Sequence, residues 1–86
     1  MNLDAEVETL RPETLLKFTE GFIQPSANEV RLIVKLSGKT GSILGNLLGV
    51  DSRTIRRWTG GEREIPYTAW RLMLLLAEKI HVQNII

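Results

Sequence analysis

Residues 40–61, TGSILGNLLGVDSRTIRRWTGG, decide the fold because they read as two short helices joined by a tight turn. The first helix is predicted over Gly41–Leu48. Gly49 follows, where a chain leaving a helix takes the positive φ that only glycine adopts without steric cost. Asp51 or Ser52 caps the second helix, since either side chain can accept a hydrogen bond from its free N–H groups.

The second helix carries apolar and basic residues on different sides. Ile55 and Trp58 lie three positions apart and share one face, while three arginines point elsewhere. A short helix with a small apolar face and outward arginines suits insertion into a DNA groove. The alternative is a solvated arginine face that binds nothing.

Glycine and apolar residues recur at fixed positions through this stretch: Leu48-Gly49-Val50, Thr54-Ile55, Trp58 and Gly61, with Gly45 four residues before Gly49. Over about residues 28–77, this spacing resembles the helix-turn-helix of the phage repressor/Cro-type (XRE) family. A small residue at the position of Gly45 lets the two helices of that family approach closely. Residues 62–71, EREIPYTAWR, more specifically resemble the short single-domain regulators encoded beside phage anti-CRISPR genes, the anti-CRISPR-associated repressors.

The family pattern implies which side chains read bases. These positions are Ser52, Arg53, Arg56 and Arg57, whereas Trp58 falls on a core position. Arginine can donate two hydrogen bonds to guanine O6 and N7. Gly41 departs from the family, which often has glutamine there, so this position offers a backbone N–H but no side chain to a base.

A second set of residues is expected to contact phosphates. Thr40, Gly41 and Ser42 begin the first motif helix, and Thr40 is its cap. Free N–H groups and the helix dipole attract an anion to this end of a helix. A lysine precedes them, and the resemblance implies contacts from two residues beyond the second helix. The predicted phosphate contacts are Lys39, Thr40, Gly41, Ser42, Arg63 and Tyr67.

Composition limits the other classes of function. The length of 86 residues predicts one domain. Because the chain has no cysteine and His81 is its one histidine, we expect no disulfide and no metal site, and we expect no cofactor. No catalytic constellation is visible, because Gly38-Lys39-Thr40 lacks the strand and upstream glycine of a phosphate-binding loop. No signal peptide is visible, and the longest apolar run, Leu72–Ala77, is too short to span a bilayer. We therefore expect a cytoplasmic protein. Because no catalytic constellation is visible, we also expect that it is not an enzyme.

Charge is distributed unevenly along the chain. Residues 1–23 carry five acidic and two basic residues, a formal net charge of −3. Residues 24–86 carry five acidic and nine basic residues, a net charge of +4. The clustering of arginines in one short helix favours a phosphate-facing surface over a merely solvated one.

Three further helices complete an all-α, five-helix repressor-like prediction. The first covers about residues 12–22, opened by Pro12, and either covers the core or serves as a dimerisation arm. The second covers residues 27–37, where Ser26 and Glu29 form a capping-box pattern. The last covers residues 66–81. Residues 1–24 are thus an arm with an extra helix, and residues 25–86 a helix-turn-helix domain with a C-terminal dimerisation helix, together one structural domain.

The last helix is more apolar than a small core requires, since nine of residues 69–80 are apolar. We interpret the surplus as a homodimer interface, although helix 12–22 could cover it instead. The predicted interface residues are Leu72, Leu75, Leu76, Ile85 and Ile86.

Three functional hypotheses follow. The favoured one is a transcriptional repressor that binds double-stranded DNA as a homodimer, and the resemblance implies an inverted repeat in a promoter, that of its own operon included. The second is a protein-interaction module, such as an antitoxin, that binds its partner through the apolar last helix. The third is a structural phage component with an incidental motif.

Overall fold

The computed structural model describes residues 9–81, and this range contains helices and no strand. Two short 3₁₀ helices precede four α-helices. The 3₁₀ helices are Pro12–Leu15 and Phe18–Glu20, and the α-helices are α1 (Ala27–Ser37), α2 (Gly41–Leu48), α3 (Ser52–Gly60) and α4 (Tyr67–Leu76). The all-α prediction is confirmed for the described residues, but the count of five helices is wrong. None of these helices has the length and apolar character needed to cross a membrane.

The missing helix is the one predicted over residues 12–22. Leu16 and Lys17 have extended backbone angles and separate the two 3₁₀ helices. Gly21, with a φ of 97°, ends the second of them in the left-handed conformation. The apolar residues of this segment therefore follow a helical spacing in the sequence without forming an α-helix.

Side chains of α4 explain this outcome, because they take the carbonyl groups that a helix here would use. The indole N–H of Trp70 donates to the backbone oxygen of Thr14 at 2.7 Å. The guanidinium of Arg71 donates to the oxygens of Leu15 at 2.6 Å and Leu16 at 3.3 Å. Both donors are buried, so these bonds satisfy polar groups that would otherwise be costly.

The predicted capping box of α1 is confirmed and also anchors the N-terminal segment. The N–H of Ser26 donates to Glu29 Oε1 at 2.8 Å, and the Ser26 hydroxyl accepts from the N–H of Glu29. The same carboxylate accepts from the backbone N–H of Arg11 at 2.9 Å and pairs with its guanidinium at 2.7 Å. One buried carboxylate therefore begins α1 and fixes residue 11 against it.

The last helix is shorter than the predicted range 66–81, because it ends at Leu76. Glu78 has a φ of 59°, and its N–H donates to the oxygen of Leu75 while that of Lys79 donates to Leu74. This is a Schellman closure with glutamate at a position where glycine is usual. The turn returns the chain to the core, where Ile80 is buried.

The core lies between the four α-helices and includes residues from each of them. Trp58 is buried, as the sequence predicted. The buried apolar residues are Leu10, Val30, Leu32, Ile33, Leu44, Ile55, Trp58, Ile65, Trp70, Met73, Leu74, Ala77 and Ile80.

The turn between α2 and α3 depends on a close backbone approach. A Cβ atom on Gly45 would lie 2.5 Å from the backbone oxygen of Val50. The N–H of Val50 in turn donates to the oxygen of Gly45 at 2.9 Å, and Gly49 has a φ of 77°. The predicted helix Gly41–Leu48 and the predicted close approach at Gly45 are confirmed.

We predict that Gly45→Ala lowers the free energy of unfolding by about 1–3 kcal/mol, because the new methyl group forces backbone apart. Gly41→Ala is the matched control in the same helix, since its Cβ would have no atom within 4 Å. That control should be neutral or stabilising by up to about 1 kcal/mol. Chemical denaturation of both variants measures the difference, and equal stabilities would contradict the importance of this contact.

A second prediction concerns acid stability. Burial disfavours the Glu29 carboxylate, but hydrogen bonds from the Arg11 side chain and from the N–H groups of Ser26 and Arg11 outweigh it and lower its pKa to about 2. Since the unfolded state takes up this proton first, stability present above about pH 4.5 should decline as pH falls towards 2. Glu29→Gln should remove most of that decline, on the order of 3 kcal/mol.

Urea denaturation at several pH values between 2 and 7 tests this acid dependence. Glu64→Gln, at an exposed position, is the control and should keep the wild-type dependence. An unchanged dependence in Glu29→Gln would show that other carboxylates are responsible.

Candidate nucleic-acid interface

Helix α3 is placed with its apolar side inward and its basic side outward. Ile55 and Trp58 are buried, with exposed fractions of 3% and 5%. Arg53 and Arg56 are exposed, and Arg57 is half-buried. The structure therefore brings the predicted base-reading arginines together on the surface of one short helix.

The N-terminal end of α3 is fixed by its cap. Asp51 Oδ1 accepts from the N–H and from the hydroxyl of Thr54, both at 2.8 Å. Of the two predicted caps, Asp51 is thus the one used. Ser52 is half-buried in the first turn, and its hydroxyl accepts from Arg56 Nη1 at 3.4 Å. This bond links two predicted base-reading residues.

The C-terminal end of α3 is held by a residue that the sequence analysis did not single out. Arg31 on α1 donates to the backbone oxygen of Thr59 at 3.0 Å and also bonds the side chain of Asn28. A cation is favourable beside the carbonyl groups that end a helix. The sequence gives only a weak signal for this contact, because an arginine on the polar side of α1 looks like any solvated charge.

Four of the predicted phosphate contacts lie at the beginning of α2. The Thr40 hydroxyl accepts from the N–H of Ile43 at 3.2 Å, which confirms the predicted cap. Gly41 and Ser42 form the first turn, with Ser42 exposed and Gly41 half-buried. Lys39 immediately before them is half-buried. These four predicted contacts are therefore contiguous at one end of α2.

The two remaining phosphate candidates differ in their surroundings. Arg63 is exposed, and its backbone N–H donates to the oxygen of Arg57, which places it at the end of α3 away from the cap. Tyr67 is half-buried, and its hydroxyl accepts from the N–H of Phe18 at 2.9 Å. Its ring also meets that of Phe22 edge-on at 4.9 Å, so Tyr67 holds the N-terminal segment whether or not it contacts DNA.

The predicted dimer residues are divided by the structure. Leu75 and Leu76 are half-buried and pack on the core. Leu72 is half-buried, and among the described residues it belongs neither to the core nor to the residues packed on it. Ile85 and Ile86 lie outside the described residues. In the part of the chain that the structure describes, the exposed large apolar side chains lie outside α4: Leu16, Phe18, Ile23, Ile43 and Leu47.

Other chemistry is limited in this part of the molecule. Within residues 9–81, no group of three or more histidine, cysteine, aspartate or glutamate side chains could hold a metal ion. The buried carboxylate of Glu29 is already occupied by Arg11 and Ser26.

Comparison with known proteins identifies two similar chains, each described as transcriptional repressor protein KorC of Escherichia coli. One is 46% identical over 61 residues, which cover 67% of this chain and 72% of the relative. The other is 35% identical over 79 residues, which cover 88% of this chain and 86% of the relative. No protein-family model matches the chain, and no solved structure matches it either.

Proposed function

The chain belongs to the family of the transcriptional repressor protein KorC, and we propose that it represses transcription by binding double-stranded DNA through α3. The observation that carries this proposal is the placement of Arg53, Arg56 and Arg57 on a short helix whose opposite side is buried. The resemblance of about residues 28–77 to the repressor/Cro-type helix-turn-helix supports the same assignment. This function requires neither catalysis nor a cofactor and would be exercised in the cytoplasm.

In the proposed complex, the N-terminal half of α3 enters the major groove. Arg53 and Arg56 are exposed and can each donate two hydrogen bonds to a guanine. The first turn of α2 lies across the sugar-phosphate backbone, where its free N–H groups and Lys39 face a phosphate. Base contacts provide the sequence preference, and phosphate contacts fix the orientation of the protein.

We further propose that two copies bind an inverted repeat in a promoter, including that of the protein's own operon. One α3 reaches only a few base pairs, which is too little to select one site in a genome. A twofold-symmetric dimer doubles these contacts and requires half-sites about one DNA turn apart. Leu72 is the strongest candidate for the interface, because it lies on α4 outside the core packing.

A fluorescence-anisotropy titration with DNA from upstream of the gene tests the proposal. Specific binding should exceed binding to a scrambled duplex of equal length, and affinity should fall steeply between about 50 and 200 mM salt. Equal binding to both duplexes would contradict sequence-specific repression. Absence of DNA binding would favour the alternative of a protein-interaction module.

We predict that Arg53→Ala and Arg56→Ala each weaken operator binding by about 1–3 kcal/mol and relax the preference at one base-pair position. Lys17→Ala is the control, since Lys17 lies in the N-terminal segment and pairs with Glu20. It removes the same charge and should leave the base preference unchanged. Unaltered selectivity in both arginine variants would contradict the proposed position of α3.

We predict that Leu72→Glu dissociates the dimer, because a twofold interface would bury two unpaired carboxylates. Leu47→Glu is the control, since it places the same charge at an apolar side chain that is already 50% exposed. Sedimentation at tens of micromolar protein should show a dimer for wild type and control and a monomer for Leu72→Glu. A monomeric wild type that binds its operator tightly would contradict this arrangement.

A further inference from the structure

The cap of α3 has a charge that capping does not require. Asp51 is the only acidic residue between Thr40 and Gly61. Thr40 caps α2 through an uncharged hydroxyl, at a hydrogen-bond distance of 3.2 Å, and serine or asparagine caps a helix as well as aspartate. A negative charge beside DNA phosphates opposes binding to any sequence. The charge is favourable at the N-terminal end of a helix, but the phosphates of DNA bound to α3 would oppose it.

Within residues 9–81, hydrogen bonds engage only one oxygen of this carboxylate. Both bonds from Thr54, at 2.8 Å each, go to Oδ1. They fix the orientation of the carboxylate, and the residue as a whole is exposed. Oδ2 is thus held in a set direction at the N-terminal end of α3, adjacent in sequence to the predicted base-reading Ser52 and Arg53.

The surroundings of the carboxylate keep it ionised. Hydrogen bonds from the side chain and backbone of Thr54, followed by the charges of Arg53 and Arg57, lower the pKa of Asp51 below its ordinary value. At neutral pH it is therefore an acceptor only, and arginine is a donor only. The N-terminal end of α3 thus combines the donors of Arg53 and Arg56 with the fixed acceptor of Asp51.

From this geometry we propose that Asp51 is a specificity-determining residue whose Oδ2 accepts a hydrogen bond from the exocyclic amino group of cytosine in the major groove. Carboxylates accept from cytosine N4 in the major groove, whereas arginine recognises guanine. Thymine presents a carbonyl oxygen and a methyl group at that edge, so it cannot supply the proton and its oxygen would repel the carboxylate. Asp51 thus favours a cytosine beside the base pair read by Arg53 and disfavours non-specific DNA.

This inference rests on the proposed binding of DNA by α3, and selection from a random duplex library tests the two separately. If the wild-type protein selects no sequence, the proposed function fails. If it selects a half-site, Asp51→Asn and Asp51→Ser are compared with wild type on that half-site. Both replacements retain a strong capping side chain, so their melting temperatures should stay near that of wild type.

We expect the Asp51 variants to lose the preference for a cytosine–guanine pair at one position of the half-site. For wild type, replacing the selected cytosine–guanine pair by thymine–adenine should weaken binding on the order of tenfold. For Asp51→Ser the same replacement should have little effect, and binding to scrambled DNA should become several-fold tighter. Asp51→Asn should also lose the preference for cytosine, because its oxygen is held by Thr54 as the cap. The amide nitrogen in place of Oδ2 can donate to the thymine oxygen but cannot accept from cytosine.

Glu62→Gln is the matched control, since it removes one exposed acidic charge just beyond the other end of α3. It should leave the cytosine preference intact. The inference is overturned if the Asp51 variants keep that preference, or if their effects equal those of Glu62→Gln.

One measurement on the wild-type protein is independent of the folding of the variants. Replacing each selected cytosine in turn by 2-pyrimidinone removes only its amino group. Binding should weaken at one cytosine per half-site, and equal affinity for all the substituted duplexes would overturn the inference.

Discussion

The approach of α2 to the backbone of the following turn is the constraint on which the rest of the structure depends. Only a residue without a Cβ fits at Gly45, because the oxygen of Val50 lies 2.5 Å from the place a methyl group would take. This contact sets the separation of α2 and α3. The buried faces of Ile55 and Trp58 then determine which side of α3 faces outward, so the position of the arginines follows from a steric condition elsewhere.

Polar contacts hold the two ends of α3 in place, because this helix buries few side chains of its own. Its first turn is held by Asp51 and Thr54, and its last by Arg31 from α1. A surface that keeps one geometry before it meets its ligand loses little conformational entropy on binding. A helix fixed at both ends therefore suits selective recognition better than a mobile basic segment would.

The sequence was informative wherever the deciding interaction is local. The caps at Ser26, Thr40 and Asp51 lie within three residues of the groups they bond, and α1, α2 and α3 could be predicted from them. The arginines of α3 were equally visible, because helical spacing alone separates them from Ile55.

Most of the wrong or missed predictions concern segments whose structure depends on residues that are distant in the sequence. Trp70 and Arg71 take the carbonyl groups of residues 14–16 from more than 50 positions away, and no local pattern announces this. One error is local instead: the early end of α4 was missed because Glu78 adopts a backbone conformation that the sequence marks only when glycine is present. Arg31 was missed for the same reason as Trp70, since its partner Thr59 is distant in the chain.

The bonds from α4 to the N-terminal segment also have a consequence for the order of folding. Trp70 and Thr14 are separated by 56 positions, whereas the turn between α2 and α3 closes within a few residues. Because closing a long loop costs entropy before its contacts form, we expect the α2–α3 unit to assemble early and the N-terminal segment to dock late. Pulse-labelling hydrogen exchange would show this as late protection of the Phe18 amide, whose acceptor is Tyr67. The part of the molecule that would meet DNA is then also the part that organises the chain as it folds.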